Sequence, residues 1–244
     1  MTVVGHLING QMTTATERTQ DVYNPSTGEV SKQVALASQA TVEEAIAAAQ
    51  AAYPEWRNTP AIKRARVMFK FKDLLEQHAD KICALIGEEH GKISHDAAGE
   101  LQRGIENVEY ACCAPELLKG EHSKNVAPNI DSWSEFQPLG VVAGITPFNF
   151  PAMVPLWMYP MAIVCGNCFI LKPSERDPSS TLFIAELLKE AGLPDGVMNV
   201  VNGDKDDLRF LDQSKANGGI QSIVALYAKG QAKTDHSGFV IDTH

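Results

Sequence analysis

Short apolar runs closed off by glycine or proline alternate with longer amphipathic stretches over most of this chain. Val141 to Ile145 is a run of β-branched and small apolar residues broken by Thr146-Pro147. Such a run, bounded by Gly and Pro, reads as a fully buried strand, and Pro147 ends it because proline has no N–H for the ladder. Cys168 to Lys172 and Val197 to Val201 have the same character. Helical stretches lie between them. Ala152 to Val164 is apolar nearly throughout, with Pro151 where a first helical turn tolerates it. Ser179 to Gly192 places Leu182, Phe183, Leu187 and Leu188 on one face and stops at Gly192-Leu-Pro194. Short strands alternating with helices predict an α/β fold with a doubly wound, mostly parallel sheet.

Upstream the signals differ. Leu7-Ile8-Asn9-Gly10 carries a hairpin turn, and Asn24-Pro-Ser-Thr-Gly28 is a turn cluster before Glu29 to Leu36, so a small antiparallel hairpin layer is expected. Thr41-Val-Glu-Glu44 reads as a capping box opening an Ala-rich helix to Ala52. Pro60 then stands at the expected first helical position, followed by Ile62, Val67, Phe69, Leu74 and Leu75 at helical spacing to about His78. Ala79 to Gly91 continues as a helix with Ile82, Leu85 and Ile86 inward, and Ala97 to Leu118 as a longer one. His122 to Gln137 is polar, with Trp133 and Phe136 on alternate positions, and suits an extended strand at a surface. Downstream, Ile220 to Tyr227 suits a strand completing the sheet edge. The chain therefore divides into 1–120 (hairpin and helices), 121–138 (surface strand), 139–205 (β-α-β units) and 206–244 (a tail of different character).

Composition narrows the function classes. At 244 residues, with 44% hydrophobic and 21% charged positions, the chain has enough material for a sizeable core. A formal net charge of -9 gives no basic footprint for nucleic acid or an anionic membrane surface. The first residues have neither the basic and apolar regions of a signal peptide nor the Arg-rich amphipathic character of a transit peptide. Five cysteines, an odd number in a large domain, fit reduced thiols in a cytoplasm.

The candidate chemistry lies where the parallel strands end. Ligands of open α/β sheets bind outside the carboxyl ends of the strands, which brings together Asn149, Lys172 and Glu175. Asn149 could cap the helix that follows it or offer its amide to a ligand. Lys172 and Glu175 could be a surface ion pair or a polar clamp. No Gly-x-Gly-x-x-Gly sequence occurs, so a standard dinucleotide phosphate loop is excluded. Glu88-Glu-His-Gly-Lys-Ile-Ser-His-Asp96 gathers carboxylates and histidines, but its spacing fits no zinc pattern, and a charged helix end followed by a Gly stop accounts for it. Arg103, in Arg103-Gly-Ile-Glu106, pairs along its helix with Glu106 or Glu109 in the plainest reading.

Pro147-Phe-Asn-Phe-Pro151 followed by Leu171-Lys-Pro-Ser-Glu175 resembles the aldehyde dehydrogenase superfamily, over about residues 5 to 205. The longer string from Pro147 to Met158 is most similar to the CoA-acylating methylmalonate-semialdehyde branch. The resemblance implies NAD as cofactor, coenzyme A as acyl acceptor, and a homo-oligomer, dimer or tetramer, to which the 121–138 strand contributes. It implies that Lys172 and Glu175 hold the adenosine ribose, that Thr146, Phe148 and Arg176 line the cofactor, and that the Asn149 amide donates to the oxyanion. A carboxylate at Glu175 would repel a 2′-phosphate, which favours NAD over NADP. The same resemblance gives Arg103 the substrate's free carboxylate, a task its bidentate fork suits. The family's nucleophilic cysteine lies about a hundred residues beyond the nucleotide site, and none of the five cysteines here matches it. The expected activity is oxidation of methylmalonate or malonate semialdehyde, with this chain inactive alone; the rival expectations are a non-catalytic NAD-binding or subunit-contact fragment and a dehydrogenase of another aldehyde. Absent strands are expected to leave Val141–Ile145 and Val197–Val201 partly uncovered.

Overall fold

The computed structural model describes residues 2–227 and 239–242. In chain order the elements are β1 (Val3–Val4), β2 (His6–Ile8), β3 (Gln11–Thr13), β4 (Arg18–Asn24), β5 (Glu29–Leu36), α1 (Gln39–Asn58), α2 (Ala61–Gln77), α3 (Ala79–His90), α4 (Ser94–Cys112) and α5 (Ala114–Leu117). They continue as β6 (His122–Ala127), β7 (Ile130–Trp133), β8 (Val141–Ile145), α6 (Met153–Val164), β9 (Cys168–Lys172), α7 (Pro178–Glu190), β10 (Met198–Val200), α8 (Lys205–Ala216), β11 (Ser222–Tyr227) and β12 (Phe239–Asp242).

The main sheet has the order β12-β11-β8-β9-β10-β2-β3. Its first five strands are parallel, and β2 and β3 join antiparallel at the β10 edge. The chain moves from β8 through α6 to β9 and through α7 to β10, then reverses across the sheet through α8 to β11. Right-handed crossovers therefore put α6 and α7 on one face and α8 on the other. Contacts agree: α8 packs with α1, while α6 and α7 are backed by α2, α3 and α4. The sheet is doubly wound as expected, and it reverses beside β8.

All five residues of β8 and of β9 are buried, as continuous apolar runs in a two-faced sheet must be. The expectation of uncovered strands is overturned. β11 pairs along β8 from Ser222 opposite Val142 to Ala225 opposite Ile145, and β2 closes the other side with Leu7 opposite Val200. Ile220, Ile223 and Ala225 are accordingly in the core. α8 and β11 thus continue the helix–strand succession beyond residue 205.

The N-terminal layer is divided in two. Asn9 and Gly10 both have positive φ, which the tight hairpin turn requires, but the β2–β3 hairpin belongs to the main sheet. His6, Leu7 and Ile8 are all buried there. Asn202 N–H donates to His6 Nδ1 at 3.1 Å and Asn9 N–H to Asn199 Oδ1 at 2.9 Å. Burial lowers the His6 pKa to about 4, so the ring is neutral at pH 7 and accepts that bond. The separate small sheet is β1-β5-β4.

Three boundaries differ from the sequence expectation. Ser38, not Thr41, caps α1, and Thr41 supplies the returning half of the capping box, because two cap-favouring residues stand within one helical turn. The long helix stops at Cys112; α5 follows with Pro115 in its first turn, where the missing N–H is tolerated but cannot continue an earlier ladder. Residues 122–133 form a two-stranded hairpin rather than one strand, turning at Asn129 with φ 61°.

Packing of α4 against α6 depends on Gly104. A Cβ there would lie 2.6 Å from Leu156 Cδ1 and 3.2 Å from its Cβ, and Leu156 is fully buried. Gly104→Val should therefore destabilise the chain by about 1–3 kcal/mol despite the better helix propensity of valine, seen as a lower urea midpoint at unchanged slope.

Candidate active site

The site is built from the two segments leaving β8 and β9. Ile145 lies beside Lys172 in register, so Thr146 and Pro173 leave the sheet together. Thr146 N–H donates to the Lys172 carbonyl at 3.1 Å, while its Oγ1 is buried without a partner. Lys172 is 5% exposed, and its Nζ donates to Glu175 Oε2 at 3.0 Å. An ammonium this sheltered is not part of an ordinary surface pair, whose partners stay in water.

The Asn149 loop is held from outside. α6 begins after Ala152 with no side-chain cap of its own, which sets aside the capping role for Asn149. Its first free N–H groups, Ala152 and Met153, donate instead to Glu100 Oε1 at 2.9 and 3.1 Å. Glu100 lies on α4 and is 0% exposed. Its other oxygen accepts from Lys92. Lys92 Nζ also donates to the Asn149 carbonyl at 2.7 Å and lies 4.1 Å from the Phe150 ring centroid. Asn149 Oδ1 is buried with no partner.

α7 repeats the device. Ser179 N–H donates to Glu89 Oε2 at 2.9 Å, Ser179 Oγ bonds the same carboxylate, and Lys32 neutralises it from 2.9 Å. Asp177, at the N-cap position, makes no cap bond. It is 2% exposed and neither carboxyl oxygen has a hydrogen-bond partner. Burial, reinforced by the Glu89 charge, holds its carboxyl well above the usual carboxylate range.

Arg103 does not pair with Glu106 or Glu109; Glu109 is 3.5 Å from Lys72. Arg103 Nε donates to Met153 Sδ at 3.2 Å and its guanidinium carbon is 5.9 Å from the Phe150 centroid. Among the described residues no carboxylate reaches it. Phe148 carries the Arg176 guanidinium at 4.7 Å from its ring. These two line a cavity of about 680 Å³ with Tyr23, Glu89, His90 and Asp177; Lys172 and Glu175 lie outside that lining. The structure thus brings Arg103, Asn149 and Phe150 into one group, Lys172, Glu175 and Thr146 into a second, and Phe148 and Arg176 into a third. Among the described residues no cluster of metal-ligating side chains occurs, and no helix is long and apolar enough to cross a membrane.

Residues 12–211 match the model of the aldehyde dehydrogenase family. The chain belongs to that family. Among curated aldehyde dehydrogenase relatives, it is 69% identical over 214 residues to the malonate-semialdehyde dehydrogenase of Pseudomonas aeruginosa, covering 88% of this chain and 43% of that protein. It is 52% identical over 220 residues to malonate-semialdehyde dehydrogenase 1 of Geobacillus kaustophilus, covering 86% and 45%. The crystal structure of a methylmalonate-semialdehyde dehydrogenase from Oceanimonas doudoroffii superposes with a TM-score of 0.90 at 73% identity, covering 93% of this chain and 46% of that one. A solved structure from Sinorhizobium meliloti 1021, complexed with NAD, gives 0.89 at 44% identity over 93% and 46%. The chain spans less than half the length of these aldehyde dehydrogenases.

Glu89 and Lys92 lie in the 88–96 stretch read from sequence as a charged helix end; the structure instead turns both inward into ion pairs with Lys32 and Glu100, while Glu100 and Asp177 were not singled out by motif. Glu100 had one signal: it shares the inward stripe Ala97, Leu101, Gly104, Ile105, Val108, where a carboxylate needs a buried partner.

Asp177 favours its neutral form in the folded state, so its contribution to stability falls as pH rises from about 4, its unfolded pKa. Asp177→Asn should therefore raise the urea midpoint at pH 7, and the gain should vanish towards pH 4.

Proposed function

We propose that this chain supplies the nucleotide-binding half and the oxyanion donor of an NAD-dependent, CoA-acylating oxidation of malonate or methylmalonate semialdehyde. The observation that carries this is the meeting, at one sheet edge, of the nearly buried Lys172–Glu175 pair and the Asn149 loop. Membership of the family and relatives described as semialdehyde dehydrogenases support it.

The residues present fit the cofactor. Thr146 Oγ1 is an unpartnered buried hydroxyl, and Glu175, held by Lys172 at 3.0 Å, can accept from ribose hydroxyls. A 2′-phosphate would meet the Glu175 charge, which favours NAD. Phe148 and Arg176 would contact the cofactor from their stacked position. NAD, when bound, supplies the hydride acceptor. Asn149 Nδ2 would donate to the substrate oxygen as it gains charge, a contribution typically worth ~3 kcal/mol. Arg103, free of carboxylate partners and beside the same loop, would hold the substrate's own carboxylate bidentately. The acyl group would leave as a thioester to coenzyme A, propionyl-CoA from the methylated substrate and acetyl-CoA from the other, with loss of carbon dioxide.

The attacking thiolate is a different matter. Burial raises the pKa of Cys168 to about 12 and of Cys112 to about 11, and also raises Cys83 and Cys165. Cys113 lies ten residues beyond Arg103, roughly 15 Å along the helix rise. The five free cysteines suit a reducing cytoplasm better than nucleophilic duty, and the 244-residue chain is proposed not to turn over aldehyde alone. The β6–β7 hairpin presents Val126, Ile130 and Trp133 to solvent, with Trp133 69% exposed; it is proposed as the contact between copies in a homo-oligomer, dimer or tetramer.

An NAD titration of the purified chain tests the cofactor site. Wild type should bind saturably, and Lys172→Ala with Glu175→Ala should weaken binding at least tenfold, about 1.4 kcal/mol. Absence of saturable binding to wild type would reject the site. CoA-dependent NADH production by the chain, abolished by replacing one of its cysteines, would reject the claim that it is inactive alone.

A further inference from the structure

We propose that Lys92 and Glu100 are positioning residues for Asn149, fixing the direction in which its side-chain amide is offered to a ligand. The inference rests on Asn149 being the oxyanion donor. An amide donor stabilises developing charge only if aimed before the reaction begins, and nothing within the 146–152 loop aims this one. Its own Oδ1 has no partner, and the helix it precedes has no local cap.

Three side chains beyond that loop bond its backbone: Thr181 Oγ1 donates to the Pro151 carbonyl at 2.8 Å, and the other two act at Asn149 and at the start of α6. Glu100 grips the backbone after Asn149 through the N–H groups of Ala152 and Met153. Lys92 grips the backbone at Asn149 itself through its carbonyl, and lies over Phe150 between the two grips. The two side chains bond each other, so the clamp is closed. Both are fixed in turn. Gly91, at φ 83°, stops α3 in the left-handed conformation that suits glycine and turns Lys92 into the site. Gly104 sets the close approach of α4, which carries Glu100, to α6. A purely stabilising pair would need the lysine only to neutralise the buried carboxylate. The additional bond from Lys92 to the carbonyl of Asn149 acts on the residue whose aim matters.

The test is nuclear magnetic resonance of the ¹⁵N-labelled full chain, with the Asn149 side-chain NH₂ pair identified by its loss in Asn149→Asp. Lys92→Met, which keeps the stem and removes the ammonium, should displace that pair. Lys92→Arg should displace it less, and Lys72→Met, which removes an ammonium from an ion pair on α2, should leave it in place. Should Lys92→Met fail to fold, Glu100→Gln, of the same volume, carries the same expectation. NAD affinity should stay within about twofold of wild type in each, well under the tenfold that marks 1.4 kcal/mol. An Asn149 pair unmoved in both Lys92→Met and Glu100→Gln, while the Ala152 and Met153 amides shift, would overturn the proposal and leave the pair a cap only. Failure of wild type to bind NAD would reject the cofactor reading separately, since the Asn149 spectra do not depend on it.

Discussion

Two helices of the main sheet point their N-termini towards the carboxyl edge of the strands, where each presents unbonded N–H groups and a partial positive charge. In many nucleotide-binding folds that end receives a phosphate. Here a protein carboxylate meets N–H groups at each: Glu100 at α6 and Glu89 at α7. Burying a carboxylate costs several kcal/mol unless it is bonded and neutralised, and Lys92 and Lys32 supply that neutralisation. The edge of the sheet therefore has its shape only when α3 and α4 are docked, because those helices and the Gly91 turn between them bring Glu89, Lys92 and Glu100. Fold and site are coupled at this point. Removing one member of such a pair leaves the other charge buried and alone, and costs more than the pair itself contributes.

Asp177 is the exception within this arrangement. It occupies the N-cap position of α7, where a carboxylate is ordinarily welcome, yet Glu89 has taken the N–H of Ser179. Glu89 has both the Ser179 N–H and the Lys32 ammonium; Asp177 has neither, and burial beside the Glu89 charge pushes it towards its neutral form.

Much of the fold was legible because its signals are local. The limits of β8 and β9 follow from runs of five residues closed by Thr146-Pro147 and Lys172-Pro173, and α3 from its Gly91 stop. The turn at Asn9-Gly10 was equally plain, but its partner was not, since nothing in residues 6–13 says that the hairpin meets Val200. The helix break at Cys113 was masked by an apolar spacing that runs through Pro115. In the site, Asn149, Lys172 and Glu175 were found because they sit in one contiguous motif on adjacent strands. The clamp from Lys92 and Glu100 joins segments some fifty residues away; Lys92 sat in a charged stretch that reads as a solvated helix end, and only Glu100, a carboxylate on an apolar stripe, pointed inward. Arg103 was placed on the correct helix, but its neighbours Met153 and Phe150 come from packing of α4 against α6, which periodicity alone does not pair.

The placement of β2 has a consequence for the order of assembly. Leu7 pairs with Val200, and His6 and Asn9 bond to Asn202 and Asn199, so the first strand of the main sheet closes against one of its latest. Contacts at that separation in sequence are slow to form, because loop-closure entropy must be met before they reward it. On a ribosome, β2 is made some 190 residues before the β10 segment it bonds. During that interval the β2–β3 hairpin, made of buried residues on its inner strand, is an unpaired edge of the kind that other chains can join. The β2–β3 hairpin therefore lacks its neighbour in the main sheet until β10 has been made.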